Sequence, residues 1–259
     1  MTQLSPALVS LREITKIFSN GVTALAGFDL DVFPGEFVSL LGPSGCGKST
    51  VLRLIADLAQ PTDGSVTWPG STDDDHRGEI GFVFQDPTLM PWANVADNAW
   101  LPLRLRGVSK RDARDRIAES LALVGLSDFA KAYPRELSGG MRMRVSIARA
   151  LSLKPRLLLM DEPFAALDEI ARFRLNDDLL RLQGDLHCTI VFVTHSVYES
   201  AYLSSRIAVM SSRPGRVVAD IRGEAPGPRS KEFRTSARYA ELCAQISQVL
   251  LDQTAEERL

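Results

Sequence analysis

The stretch Gly42-Pro43-Ser44-Gly45-Cys46-Gly47-Lys48-Ser49-Thr50 decides the fold. It has the G-x-x-x-x-G-K-[ST] spacing of a phosphate-binding loop, and its flanks supply the context that spacing requires. Phe37 to Leu41 before it is an apolar, β-rich run. Val51, Leu52, Ile55, Leu58 and Ala59 after it recur at helical spacing until Pro61, whose missing N–H and rigid ring stop a helix. A strand, a glycine loop and a helix in that order turn backbone N–H groups toward phosphate oxygens, with the positive end of the helix behind them. Lys48 is placed to reach the β- and γ-phosphates of a bound nucleotide, and the Ser49 hydroxyl to ligate Mg²⁺. Cys46 admits a second reading, a thiolate favoured by Lys48 and the helix end. No His or carboxylate stands beside it in sequence, and a small filler in a tight loop is the plainer account.

Working outward, residues 8–41 read as strands, with β-rich stretches at Leu8 to Phe18 and Phe37 to Leu41 and a Pro34-Gly35 turn between them. A short strand is expected from Ser65 to Trp68 and a buried one from Ile80 to Phe84. The polar stretch Gly70 to Gly78 between them reads as a surface loop, its triple acid Asp73-Asp74-Asp75 a solvated turn rather than a metal site. From Asp86 to about Leu151 the pattern is helical. Ser109 and Asp112 form a capping pair ahead of Ala113, Ile117, Leu121 and Val124, and Ser138-Gly139-Gly140 opens a second helix carrying Met143, Ile147, Ala150 and Leu151. The runs Leu157 to Met160 and Thr189 to Thr194, separated by a helix around Asp168 to Gln183, give the βαβ rhythm of a parallel sheet. Gly223 to Pro228 reads as a linker before an amphipathic helix with Tyr239, Leu242, Cys243, Ile246, Val249 and Leu250 on one stripe.

The 259 residues are 45% hydrophobic and 24% charged, which excludes disordered and fibrous classes. Thirty Lys plus Arg against 32 Asp plus Glu leave a net charge of −2, too balanced for a chain whose task is to neutralise nucleic-acid phosphates, so no nucleic-acid partner is expected. Three scattered cysteines form neither a disulfide framework nor a zinc ribbon. No charged-then-apolar leader opens the chain, and its longest apolar runs have four residues, so a cytoplasmic protein is expected.

Further motifs separate kinase, GTPase and motor. Leu137-Ser138-Gly139-Gly140-Met141 resembles the signature of the ATP-binding cassette family, and Leu157-Leu158-Leu159-Met160-Asp161-Glu162-Pro163 is similar to its Walker B strand. Ala166-Leu167-Asp168 resembles the D-loop, Thr194-His195 the switch histidine and Gln85 the Q-loop glutamine, while Phe18 stands where the family stacks an aromatic on adenine. The resemblance implies an α/β fold: a P-loop NTPase (RecA-like) core with an N-terminal antiparallel β-subdomain and an α-helical signature subdomain inserted at about 87–152. The ATP-binding domain would span 1–222, and 223–259 the linker and C-terminal helix.

It also implies a division of labour. ATP is held by Phe18, by Gly42, Pro43, Ser44, Gly45, Cys46, Gly47, Lys48, Ser49 and Thr50, and by Ser138, Gly139, Gly140 and Asp168. Mg²⁺ is held by Ser49, Gln85 and Asp161. Glu162 polarises the attacking water, with His195 and Gln85 beside it. A lone His is ordinarily a core residue, and Phe18 also reads as a core aromatic; position and motif favour the functional reading. Because the signature lies on the insert, one chain does not bring it to its own phosphate loop, and a head-to-tail pair of identical chains is expected.

Leu137 through Arg142, the segment Leu89 to Asn98 and Ser212 to Arg216 resemble the import cassettes of the nitrate, sulfonate and taurine group. That implies transmembrane permease partners, a solute-binding protein acting through them, and a peripheral position on the cytoplasmic face of a bacterial inner membrane. Met90, Pro91, Trp92 and Trp100 are expected to form one apolar patch near Gln85 that receives a helix of the permease; the alternative is that both tryptophans are core. Met141 and Met143 stand where the family favours glutamine, Ala165 where a small polar residue is usual and Ser196 where Asp is frequent. None of these removes a phosphate, magnesium or water ligand. Other readings are a cassette of an exporter or lipid-extraction complex, and a soluble non-transport ATPase. The C-terminal helix either packs on its own domain or makes a regulatory or dimer contact.

Overall fold

The chain is described by a computed structural model over residues 6–69, 76–225, 227–230 and 232–256; the Asp73-Asp74-Asp75 turn lies outside these residues. Six strands form the central sheet: β3 (Phe37–Leu41), β5 (Ile80–Val83), β6 (Leu157–Asp161), β7 (Thr189–Thr194), β8 (Arg206–Met210) and β9 (Val217–Arg222). Their order is β5-β6-β7-β3-β8-β9, parallel except for the last. Parallel strands bury both faces, and the two-residue period sorts each strand between two apolar clusters. Phe37, Leu41, Leu158, Met160, Ile190 and Phe192 face one side. Val38, Leu40, Leu157, Leu159, Val191 and Val193 face the other.

The second face is covered by α1 (Lys48–Ile55) and by a smaller antiparallel sheet of β1 (Val9–Ile17), β2 (Thr23–Val32) and β4 (Asp63–Thr67), in the order β2-β1-β4. The first face is covered by α2 (Val95–Leu105), α3 (Arg114–Leu123) and α4 (Gly139–Leu151), all inserted between β5 and β6. With them lie α5 (Glu169–Leu186), α6 (Val197–Leu203) and α7 (Ala237–Glu256). On α7, Tyr239, Leu242, Cys243 and Ile246 are buried in this cluster, so the stripe packs on its own domain.

Two local expectations are corrected. The helix after Lys48 stops at Ile55 rather than continuing through Ala59 to Pro61. Asp57 takes a left-handed conformation (φ 54°), Leu58 N–H bonds Arg53 O at 2.8 Å and Asp57 N–H bonds Leu54 O at 3.1 Å. That paired closure ends a helix, and it leaves Leu58 62% exposed despite its apolar spacing. The second correction concerns the tryptophans. Trp100 packs against the core, its Nε1 donating to Val108 O at 3.1 Å with Arg104 and Lys110 over its ring, whereas Trp92 is 77% exposed. They do not form one patch. Ser109 and Asp112 do bond each other, holding the turn that leads into α3.

Candidate functional site

The phosphate loop bridges β3 and α1, and its shape depends on glycine. Gly47, the residue before α1, has φ 106°; a Cβ there would stand 2.8 Å from Leu25 Cδ2 and 3.0 Å from Ala24 O. A Cβ on Gly215 would fall 2.1 Å from Cys46 O, so a second glycine lets the β8–β9 connection lie flat on the loop. From that connection Arg213 reaches over, its Nε and Nη2 donating to Gly45 O at 3.2 and 3.1 Å. Lys48 is 5% exposed and folds into the hollow of the loop, its Nζ donating to the carbonyls of Gly42 and Pro43, both at 2.8 Å. Cys46 is fully buried and burial pushes its thiol up, so the thiolate reading fails: desolvation outweighs the nearby lysine.

Parallel register brings the chemistry together. Asp161 at the end of β6 lies opposite Val193 on β7, so Glu162 falls beside Thr194 and His195. Ser49 Oγ donates to Asp161 Oδ1 at 2.8 Å, tying the first turn of α1 to β6. Burial pushes the Asp161 carboxyl up, aided by the negative charge of Glu162 and opposed by the Ser49 hydrogen bond, Arg53 and Lys48. Glu162 leaves the strand at φ 45°, a conformation a non-glycine residue adopts only when its surroundings enforce it. Here Glu162 N–H bonds Val193 O at 3.0 Å, and Phe164, 1% exposed, packs on Phe192. The turn aims Glu162 Oε2 at His195 Nδ1, 3.3 Å away.

Beneath His195 lies a residue the sequence analysis missed. Glu199 on α6 is 7% exposed, accepts from the Thr194 hydroxyl and pairs with Arg172 Nε at 3.4 Å; burial pushes its carboxyl up. Ser196 caps α6 by accepting from Glu199 N–H at 3.3 Å. The Ser196-Val197-Tyr198-Glu199 spacing is a capping-box pattern directly after the histidine, and it was the available signal. Arg213 was also missed as a site residue. Its stretch, Ser212 to Arg216, stands out in the sequence by resemblance, but nothing local says that it reaches the loop from 168 positions along the chain.

A cavity of about 220 Å³ opens over these groups, lined at one end by Phe18, Val22 and Ala24 and at the other by Lys48, Ser49, Glu162 and Arg213. Phe18 is 41% exposed rather than core, with the Lys16 ammonium 5.7 Å from its ring centroid. Other expected residues stand apart. Gln85 is exposed just beyond β5 and does not line the cavity. Ser138 is exposed and caps α4, accepting from Met141 N–H at 3.3 Å, with Gly139 and Gly140 forming the open first turn behind it. Asp168 is exposed and caps α5, accepting from Ala171 N–H at 2.9 Å.

Among the described residues no three His, Cys, Asp or Glu side chains cluster as a metal cage. The Ser49 hydroxyl against one half-buried carboxylate is the donor set suited to a cation that keeps water and takes its remaining ligands from phosphate, as Mg²⁺ does. No helix of the described residues is long and apolar enough to cross a membrane.

A glycine loop between a parallel strand and a helix, with a carboxylate pair at the end of the strand two places away in the same sheet, defines a P-loop nucleoside triphosphatase of mixed α/β fold. The ABC transporter family pattern matches residues 25–165. An aliphatic sulfonates import ATP-binding protein of Pseudomonas syringae is 46% identical over 234 residues, 90% of this chain and 92% of the relative. A taurine import ATP-binding protein of Rhizobium johnstonii is 42% identical over 90% of this chain and 91% of its own length. A nitrate import ATP-binding protein of Synechocystis is 37% identical over 96% and 97%. A dimeric ATP-binding cassette solved in a post-hydrolysis state with ADP and Pi superposes with a TM-score of 0.72 at 35% identity, covering 83% of this chain and 99% of that one. The chain belongs to the ABC transporter family and is an ATP-binding ATPase subunit of it.

Proposed function

We propose that this chain hydrolyses ATP to drive import of a small anionic or zwitterionic solute of the nitrate, sulfonate and taurine kind through a separate permease. The observation that carries the ATPase part is the Glu162–His195 pair standing beside Asp161 and Ser49 under the phosphate loop. The relatives' printed roles support the import part.

In this mechanism Phe18 stacks on adenine, and the N–H groups of residues 42–50 take the phosphates. Lys48 exchanges the Gly42 and Pro43 carbonyls for β- and γ-phosphate oxygens. Ser49 and Asp161, with Gln85, would hold Mg²⁺, which would supply positive charge to offset that of the transition state. Glu162 Oε2 accepts the proton of the attacking water while His195 fixes that carboxylate and contacts the γ-phosphate. Ser138, Gly139 and Gly140, with Asp168, complete the site from a second copy arranged head to tail, since the signature turn is outside its own chain's cavity. The permease docks near Gln85 and Trp92, the exposed part of the region after β5. A solute-binding protein selects the cargo, and the chain sits peripherally on the cytoplasmic face.

Glu162→Gln is expected to lower phosphate release by ~10²–10⁴-fold while trapping an ATP-bound dimer visible by size-exclusion chromatography. Unchanged turnover removes Glu162 from the chemistry. The import part is tested by reconstituting the chain with its permease and binding protein and screening nitrate, taurine and alkanesulfonates for stimulated turnover; no stimulation by any of them defeats it.

A further inference from the structure

The turn Ala166-Leu167-Asp168 leads from β6 into α5, the loop carrying His195 leads from β7 into α6, and one side chain touches both connections. Arg172 lies one turn into α5, behind Asp168, which caps that helix. Its Nη2 donates to Leu167 O at 3.2 Å, and its Nε stands 3.4 Å from Glu199 Oε1 on α6. Glu199 Oε2 in turn accepts from the Thr194 hydroxyl, whose oxygen takes the Ser196 N–H at 3.0 Å. Thr194 and Ser196 flank His195, so both neighbours of the histidine are fastened, directly or through one hydroxyl, to a single carboxylate. Leu167 also adjoins the open first turn of α4: a Cβ on Gly139 would stand 3.7 Å from Leu167 Cδ2.

Glu199 is 7% exposed, and an ion pair sealed from water is a weak means of joining two helices that apolar side chains hold equally well. What the pair supplies is direction. It is also unfinished in the empty chain: Arg172 Nε makes an ion contact without a hydrogen bond, about half an ångström beyond the length of a charge-assisted one. A small movement of Leu167 therefore closes it or opens it. We propose that Arg172 and Glu199 are positioning residues for ATP hydrolysis, which set His195 according to where a second copy of this chain holds the Leu167 turn. The inference rests on the head-to-tail reading above, in which Asp168 and the first turn of α4 meet that copy. Seating of the copy moves Leu167 O, and Arg172 follows its hydrogen bond and closes on Glu199. Glu199 then draws Thr194 and Ser196, with His195 between them, toward Glu162. Neither Arg172 nor Glu199 lines the nucleotide cavity, so the pair acts on turnover and not on the binding of ATP.

The chain has three histidines, so the His195 imidazole can be followed by nitrogen-15 NMR and assigned by its loss in His195→Gln. In Glu162→Gln, ATP should form the dimer and shift that signal. In Glu162→Gln with Arg172→Met the dimer should form at the same ATP concentration, and the shift should be lost. With Glu162 in place, Arg172→Met and Glu199→Gln should each lower kcat by about 10–10²-fold, the effect of a misplaced catalytic group, and change the KM for ATP by less than about twofold. The double variant should lose no more than either single one, as two links of one relay do, and Arg172→Lys should recover part of the rate. A His195 signal that shifts fully in the Arg172→Met dimer overturns the inference and leaves the dimer standing. Loss of ATP binding or of the dimer in step with kcat reduces the pair to packing between α5 and α6, which overturns it too. Absence of an ATP dimer in Glu162→Gln itself overturns the head-to-tail reading, and this inference with it.

Discussion

Two helix N-termini in this chain carry glycine-rich turns, and they are built in opposite ways. At the start of α1 the loop is enclosed: Lys48 is buried, its ammonium is held by two loop carbonyls, and Gly47 is wedged against Leu25 and Ala24 O. At the start of α4 the turn is open: Ser138 is exposed and a Cβ on Gly140 would meet nothing within 4 Å. An enclosed loop is finished by its own chain. An open one leaves its N–H groups free for a surface the chain does not give itself, which is the physical basis of the proposed shared site.

The strongest way to break that contrast is to damage each half separately. Lys48→Ala and Ser138→Arg should each lower turnover by about 10²-fold or more, as loss of a transition-state donor does. Mixed, they should recover about a quarter of wild-type activity, because random pairing of two-fold dimers leaves one site in four intact. No recovery on mixing defeats the head-to-tail arrangement. The halves should also separate in binding. Phe18→Ala is expected to weaken ATP by ~5–100-fold in calorimetry, the range for losing one base stack, whereas Ser138→Arg should leave the affinity of the monomer unchanged.

A smaller effect probes the link between the halves. Arg149, on the helix whose first turn carries Ser138, donates to Pro87 O and Thr88 O, both at 2.9 Å, and to Thr88 Oγ1 at 3.0 Å, gripping the chain just after Gln85. Arg149→Met should cost about 2 kcal/mol in urea unfolding, and Arg149→Lys should restore only part of it, because lysine lacks the planar fork. The smallest effect concerns Asp161. Burial raises its carboxyl above the ordinary aspartate value, so the ionised form is a burden on the empty fold. The stability this group contributes is complete below the ordinary aspartate range and is lost as pH rises through the raised value. Asp161→Asn should therefore melt above the wild type at neutral pH without nucleotide, and the gap in Tm should close toward acid pH. A gap that persists there places the effect elsewhere.

Legibility followed distance along the chain. The strand–loop–helix around Lys48 and the run Leu157 to Asp161 were readable because their signals are contiguous: glycine spacing, an apolar run and a change of period. The end of α1 was misread because a left-handed Asp57 closes the helix without the glycine that usually announces it. Strands β8 and β9 and helix α6 gave no distinct expectation. Arg206 to Met210 is only five residues long, and it is its register on β3 that makes it a strand.

The sequence by itself determined the class of fold, the phosphate loop with its lysine and serine, and which carboxylates end a buried strand, because each of these depends on residues a few positions apart. Tertiary structure alone decided that Ser49 meets Asp161 from 112 residues away and that Glu162 turns onto His195. It alone also decided that Arg213 covers Gly45 and that Glu199 lies under the switch loop. These are products of parallel strand register and two-sided burial, which align positions that no local pattern relates.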